Sequence, residues 1–198
     1  MSSGKLRVIA GPMFSGKTTQ LVHDVDRYWR AGKRCIIVKH ASDERFDKGA
    51  RIITHDGRQC EKIPTIIAAT LDDEEFREVA RAAEVIGIDE VQFYARDDAA
   101  IARATAFIES LLLAGKTVIC AGLDTDYLRK PFMFTLILAS RASEVAKLLA
   151  VCQKCGADAP FTARACDEKA YAQTEVGGHD MYAAVCLACH AKINAQTH

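Results

Sequence analysis

Residues 11–18 constrain this chain more than any other stretch. They read Gly-Pro-Met-Phe-Ser-Gly-Lys-Thr and fit G-x-x-x-x-G-K-[ST] without a gap. The apolar run 6–10 before them has the character of a buried strand. After them Leu21, Val22, Val25, Tyr28 and Trp29 recur at helical spacing. Strand, glycine-rich loop and helix together turn a pattern match into a phosphate-binding loop. Glycine at 11 and 16 lets the backbone curl around an anion. The N–H groups of Pro12-Met13-Phe14-Ser15 and the following helix start then face it, proline excepted. Lys17 can reach the β and γ phosphates of a nucleoside triphosphate, and the Thr18 hydroxyl can ligate magnesium. A plain glycine turn with a surface lysine is the bland alternative, and the correct flanks on both sides count against it.

The rest of the chain fits a sheet built around that loop. The first helix is predicted over 17–31, stopping at Gly32. Residues 35–38 read as a second strand, and the charged stretch 41–49 as a mobile loop at its carboxyl end. Residues 51–63, with a His55-Asp56-Gly57 turn, read as a small hairpin. A helix opens at Asp72, with Asp72 as cap and Glu75 at the capping-box position. Residues 85–88 form a third strand ending in Asp89-Glu90. A helix over 97–114 and a strand over 117–121 follow. A loop carries Leu123, Asp124, Arg129 and Pro131, and a short helix or turn at 143–149 leads into a last strand near 147–151. Strands alternating with helices predict an α/β fold with a parallel sheet flanked by helices. Ligands of such sheets sit at the carboxyl ends of the strands. From Cys152 onward periodicity is lost and cysteine, glycine and polar residues rise, which places a domain boundary there.

Composition narrows the function classes. Lysine plus arginine balances aspartate plus glutamate at 26 each, so no global field favours nucleic acid or an anionic membrane. No apolar run reaches membrane-spanning length and residues 1–5 lack a signal-peptide core, so a cytoplasmic protein is expected. The eight cysteines then read first as thiols or metal ligands.

Two further constellations carry chemistry. Asp89 and Glu90 end an apolar strand. Downstream of a phosphate loop, an aspartate there holds magnesium directly or through water, and a neighbouring glutamate can take a proton from an attacking oxygen. A solvated acidic strand end is the alternative. Cys152-x-x-Cys155 and Cys186-x-x-Cys189 are two knuckles of a tetrahedral zinc site, separated by 30 residues. The metal would clasp a long excursion over 156–185. His190 could stand in for Cys189, which ranks ahead of it. Cys35, Cys60 and Cys120 lie in or near apolar strands and read as inert thiols, and Cys166 as a loop residue.

These motifs, with Gly87-Ile88-Asp89-Glu90-Val91-Gln92-Phe93, Leu123-Asp124 and Arg129-Lys130-Pro131-Phe132, resemble the type II thymidine kinases over residues 5–190. The resemblance implies a P-loop, RecA-like kinase domain (1–151) and a zinc-binding lasso domain over the nucleoside (152–198). It implies transfer of the γ-phosphate of ATP to the 5′-hydroxyl of thymidine. Glu90 matches the family's catalytic base, and Asp43 and Arg45 match a pair near the transferring phosphate. The ATP side takes in residues 11–18, Asp43, Asp89, Glu90, Val91 and Gln92. Met13, Phe93, Leu123 and Phe132 match the base pocket, and Thr162, Gly177, Gly178 and Tyr182 match the lasso. ATP, magnesium and zinc are the implied cofactors, a homotetramer the implied assembly, and thymidine triphosphate the implied feedback inhibitor. Val91, Tyr127, Met133, Gln173 and Glu175 depart from the family's usual residues. The rival readings are a nucleic-acid-stimulated ATPase and a zinc-ribbon binding module with a non-catalytic nucleotide site. Neutral charge and lack of room for a second motor domain count against the ATPase. Loss of Glu90 would leave the binding module unharmed.

Overall fold

The computed structural model describes residues 4–42, 63–164 and 181–195. The first part builds β1 (Lys5–Ala10), α1 (Lys17–Arg30), β2 (Cys35–His40), β3 (Thr65–Ala68), α2 (Glu74–Ala82) and β4 (Val85–Ile88). A short 3₁₀ turn (Val91–Phe93) leads to α3 (Asp98–Leu113), β5 (Thr117–Gly122), α4 (Met133–Arg141) and β6 (Glu144–Lys147). The six strands form one sheet in the order β3-β2-β4-β5-β1-β6, and every pairing in it is parallel.

Side chains along these strands alternate between two apolar layers, as the period of two requires. Leu6, Val8, Ile36, Val38, Ile86, Ile88, Val118 and Cys120 join the layer beneath α2, α3 and α4. Ile9, Cys35, Ile37, Val85, Ile119 and Ala121 join the layer beneath α1, where they meet Leu21 and Val25. Burial on both faces explains why β2 and β4 are apolar almost throughout. α1 lies close enough to β4 that a Cβ on Gly87 would stand 3.0 Å from the Val25 side chain.

The parallel sheet flanked by helices follows the sequence reading, with four local differences. β3, which the sequence reading leaves unassigned, is a four-residue edge strand directly after Pro64. Asp73 caps α2, accepting the Phe76 N–H, while Asp72 pairs with Arg77 and Arg103. α4 falls where only a loop was expected. Its residues are apolar around much of the helix, with Phe134, Thr135 and Leu138 buried but Met133 and Leu136 exposed, so no clean period marks it. The last strand of the sheet is correspondingly earlier, at Glu144–Lys147. The proposed hairpin at 51–63 lies almost wholly outside the described residues, as do Cys60, Cys166 and all of the 41–49 loop beyond Ser42.

The C-terminal part holds β7 (Ala150–Val151), β8 (Asp158–Ala159), β9 (Phe161–Arg164), β10 (Tyr182–Val185) and α5 (Leu187–Ala195). β7 pairs antiparallel with β8, and β9 with β10. A separate small apolar cluster sits here, containing Ala150, Cys152, Ala159, Ala163, Ala184 and Val185, with Phe14 of the phosphate loop packed against it. No helix among the described residues is long and apolar enough to cross a membrane.

α4 anchors the sheet through Leu138, which is buried in the larger layer. Leu138→Ala should therefore lower unfolding stability by about 2–5 kcal/mol. Leu113→Ala, at a side chain 90 % exposed, should change it by no more than about 0.5 kcal/mol. Urea denaturation of both variants checks the pair.

Candidate active site

The phosphate loop follows β1, the strand held between β5 and β6. Gly11 admits no side chain: a Cβ there would lie 2.5 Å from the Leu148 carbonyl oxygen. Gly16, in a left-handed conformation, precedes the first turn of α1. Within the loop the Ser15 hydroxyl and the Lys17 ammonium both donate to the Pro12 carbonyl, at 2.9 and 2.6 Å. These bonds close the loop on itself and hold Lys17, largely buried, under its arch.

Asp89 follows β4 and is 2 % exposed. Although β5 lies between β4 and β1 in the sheet, the Thr18 hydroxyl reaches Asp89 and donates to both carboxylate oxygens, at 3.0 and 3.2 Å. Hydroxyl and carboxylate oxygens are the hard donors that magnesium takes, and the structure brings the two expected ligands side by side. Glu90 comes next, with φ 50° and ψ 45°. A non-glycine residue in this region is costly and is kept where the surroundings over-determine it. The reversal turns the chain sharply out of β4 into the 3₁₀ turn, and the Glu90 N–H donates to Asp89 Oδ1 at 3.1 Å. Gln92 then folds back, its Nε2 donating to Glu90 Oε2 at 2.7 Å.

Around this centre lie the expected pocket residues. Phe93 lies tilted against the His40 ring at the end of β2, with centroids 5.5 Å apart. The Leu123 N–H donates to Gln92 Oε1 at 3.0 Å, and the buried Phe132 is tied by its N–H to the Asp124 carbonyl. Asp126 shapes the loop between them, accepting the N–H groups of Leu128 and Lys130 through its Oδ1. An Asp124–Lys147 ion pair fastens the same loop to β6.

β9 and β10 bring the C-terminal part onto this centre. Thr162 faces Ala184 and Arg164 faces Tyr182 across the ribbon, so Thr162 and Tyr182 share one face. The Met13 N–H donates to Thr162 Oγ1 at 3.0 Å. The phosphate loop and the ribbon thus meet directly. Asp43, Arg45, Gly177 and Gly178 lie outside the described residues. Met133, which departs from the family pattern, is half exposed on α4, whereas Val91 is fully buried.

The knuckle cysteines converge. The Sγ atoms of Cys152, Cys155, Cys186 and Cys189 all lie within 4.8 Å of one another, and Cys155 and Cys186 are 3.6 Å apart. A tetrahedron of Zn–S bonds of ~2.3 Å has edges of about 3.8 Å, so the four thiols fit zinc. Burial alone would raise the Cys152 thiol, but the N–H groups of Cys186, Lys154 and Cys155 bring it down to about 6. Cys189, beside Cys186 and Cys155, is pushed up to about 12. Thiols this close hold back one another's ionisation unless a cation joins them. His190 is not in the cluster. Its Nε2 donates to the Tyr127 carbonyl at 2.8 Å, which ties α5 to the loop after β5. Burial raises Cys35 to about 11 and Cys120 to about 12, so both stay protonated, as expected of inert thiols.

Comparison with known proteins agrees with this geometry. Residues 4–190 match the family model described as thymidine kinase. The chain is 40% identical to the thymidine kinase of Myxoma virus (strain Lausanne), over 96% of this chain and 98% of the viral one. It is 40% identical to the cytosolic thymidine kinase of Homo sapiens, over 96% of this chain and 74% of the human one. It is 37% identical to thymidine kinase 1 of Dictyostelium discoideum, over 95% of this chain and 78% of that one. The chain belongs to the thymidine kinase family. It is thus an ATP-dependent kinase, a transferase acting on thymidine.

Some features of this thymidine kinase site had no signal in the sequence. The left-handed Glu90, the bond from Gln92 to Leu123 and the His190–Tyr127 link are products of tertiary placement. Only Asp126 had a local cue, because short acidic side chains commonly organise turns. The Met13–Thr162 bond gives a direct test of how the two parts are joined. Thr162→Val leaves the partly buried Met13 N–H without this acceptor and should cost about 1 kcal/mol of stability. Thr162→Ser should recover most of the loss, as read by urea unfolding.

Proposed function

We propose that the residues above divide the transfer of the ATP γ-phosphate to the thymidine 5′-hydroxyl as follows. Residues 11–18 hold the donor: loop amides and Lys17 bind the β and γ phosphates. Thr18 and Asp89 would hold magnesium, whose chemistry would be to neutralise phosphate charge. Asp43 belongs to the same side, and the ATP-side segment runs on past Glu90 through Val91 and Gln92, whose buried side chains would serve ATP only by holding that segment's backbone. Glu90 accepts the proton of the 5′-hydroxyl as that oxygen attacks in line. Arg45 stabilises charge on the transferring group, alongside Lys17. The observation that carries the reading is the position of Glu90. It directly follows the aspartate bonded to Thr18, and its side chain is held by Gln92, whose other end touches the Leu123 loop.

The acceptor side is formed by Met13, Phe93, Leu123, Phe132, Thr162, Gly177, Gly178 and Tyr182. Polar backbone groups of the lasso read the base edge, since an unmatched buried group costs about 1–3 kcal/mol and so rejects the wrong nucleoside. Residues 152–198 act as a separate lasso domain on the kinase domain of residues 1–151. Cys152, Cys155, Cys186 and Cys189 would hold zinc, whose contribution is to tie the two ends of the lasso together. The active species is a cytoplasmic homotetramer, with thymidine triphosphate as feedback inhibitor; family membership supports this part of the reading.

Two measurements test the division of roles. Glu90→Gln should cut kcat by about a hundredfold or more while ATP affinity holds; turnover close to that of the unmodified enzyme would remove Glu90 from the proton transfer. Chelating the zinc should raise the thymidine KM before it weakens ATP binding. An apo enzyme with unchanged thymidine KM would show that the clasp has no part in acceptor binding.

A further inference from the structure

Gln92 is almost completely buried, and both ends of its side-chain amide are committed. At one end the Leu123 N–H, which can only donate, meets Oε1 at 3.0 Å. That contact requires the carbonyl oxygen there and so leaves the amino end for Glu90, whose Oε2 accepts at 2.7 Å. The amide orientation is therefore settled by donor and acceptor chemistry. The backbone has been cleared for it. A Cβ on Gly122 would stand 2.6 Å from Gln92 Oε1 and 2.6 Å from Val91 Cγ1, so only glycine at 122 leaves Gln92 its place. The left-handed turn at Glu90 starts the 3₁₀ segment that brings position 92 back over position 90.

We propose that Gln92 is a positioning residue for the phosphoryl transfer. It bridges the Glu90 carboxylate to the backbone of the acceptor-side loop at Leu123, so the base is aimed by the same loop that lines the nucleoside pocket. The inference rests on the reading of Glu90 as proton acceptor. A donor to a carboxylate is a charge-assisted bond that favours its ionised form, the form a base needs. It also restricts the torsions of a side chain that would otherwise sample several rotamers. Gln92 touches neither reacting atom in this scheme and acts through Glu90 alone. Its loss should therefore appear in kcat and not in the binding of either substrate.

Gln92→Glu separates the two ends. A glutamate keeps an oxygen for the Leu123 N–H but sets a second carboxyl against Glu90, so the two share one proton and Glu90 is no longer a free carboxylate able to act as base. We expect kcat to fall about tenfold or more, with the KM values for ATP and thymidine within about twofold of the unmodified enzyme. In a Glu90→Gln background the same substitution should change kcat by less than about twofold, because the group it acts through is already gone. Should the glutamate variant fail to fold, Gln92→Met, uncharged and of similar length, carries the test through the same loss of kcat at unchanged ATP KM and the same silence in the Glu90→Gln background. A Gln92→Glu enzyme with full turnover would overturn the proposal and leave Gln92 as a brace for Leu123. So would losses that multiply in the double variant. If Glu90→Gln itself turns over normally, the reading of Glu90 fails and this inference falls with it. If Glu90→Gln is inactive while Gln92→Glu is not, only the role of Gln92 is lost.

Discussion

One hydrogen bond, from the Met13 N–H to the Thr162 hydroxyl, joins pieces of chain 149 residues apart. Much of the active site depends on this junction. The phosphate loop is shaped by its own bonds to the Pro12 carbonyl, and β9 and β10 are shaped by their own ladder. β6, paired with β1, delivers Leu148 to the edge of the phosphate loop, and the Met13–Thr162 bond then fixes the β9–β10 ribbon against it. Two further contacts support the junction. Phe14 packs against the small apolar cluster around Cys152 and Val185, and His190 reaches across to the Tyr127 carbonyl. A kinase must hold donor and acceptor in register while leaving both able to depart. A few polar bonds over a small apolar contact suit that requirement better than a continuous core, because each can be remade without unfolding either part.

The centre of the sheet was legible because its signals are local. Buried parallel strands are continuous apolar runs, and the loop at 11–18 carries its chemistry in consecutive residues. The zinc knuckles were legible for the same reason, and their convergence in space needed no information from the intervening excursion. What escaped the reading has non-local causes. β3 is a strand only because β2 offers it a partner. α4 lacks a marked polar face, so hydrophobic periodicity could not find it. The cap of α2 is Asp73 because the helix begins at Glu74, while Asp72 pairs with Arg77 and with Arg103 of another helix.

The candidate site divides in the same way. Residue types at Lys17, Thr18, Asp89 and Glu90 could be assigned from motif chemistry, and the Thr18 hydroxyl lies 3.0 Å from Asp89 Oδ2. The aim of Glu90 could not be assigned, because it depends on a left-handed backbone and on an amide whose other partner lies 31 residues away. Nothing local in the sequence marks the glycine at 122. Its meaning emerges only once the Gln92 side chain is seen to occupy the space where a Cβ would stand. The departure at Val91 also acquires a reason, since that side chain fills the other half of the same space.

The strand order has a consequence in time. β1 carries the phosphate loop and precedes the other described strands in the chain, yet its sheet partners are β5 and β6. Lys5 pairs with Thr117, and Arg7 with Glu144. At translation rates of about 5–20 residues per second, β1 waits many seconds before either neighbour exists. β2 and β4, by contrast, can pair as soon as residue 88 has emerged. The part of the chain with the clearest chemical signature is thus among the last to acquire its structure, and a nascent chain can hold nucleotide in the native manner only after β5 and β6 have emerged.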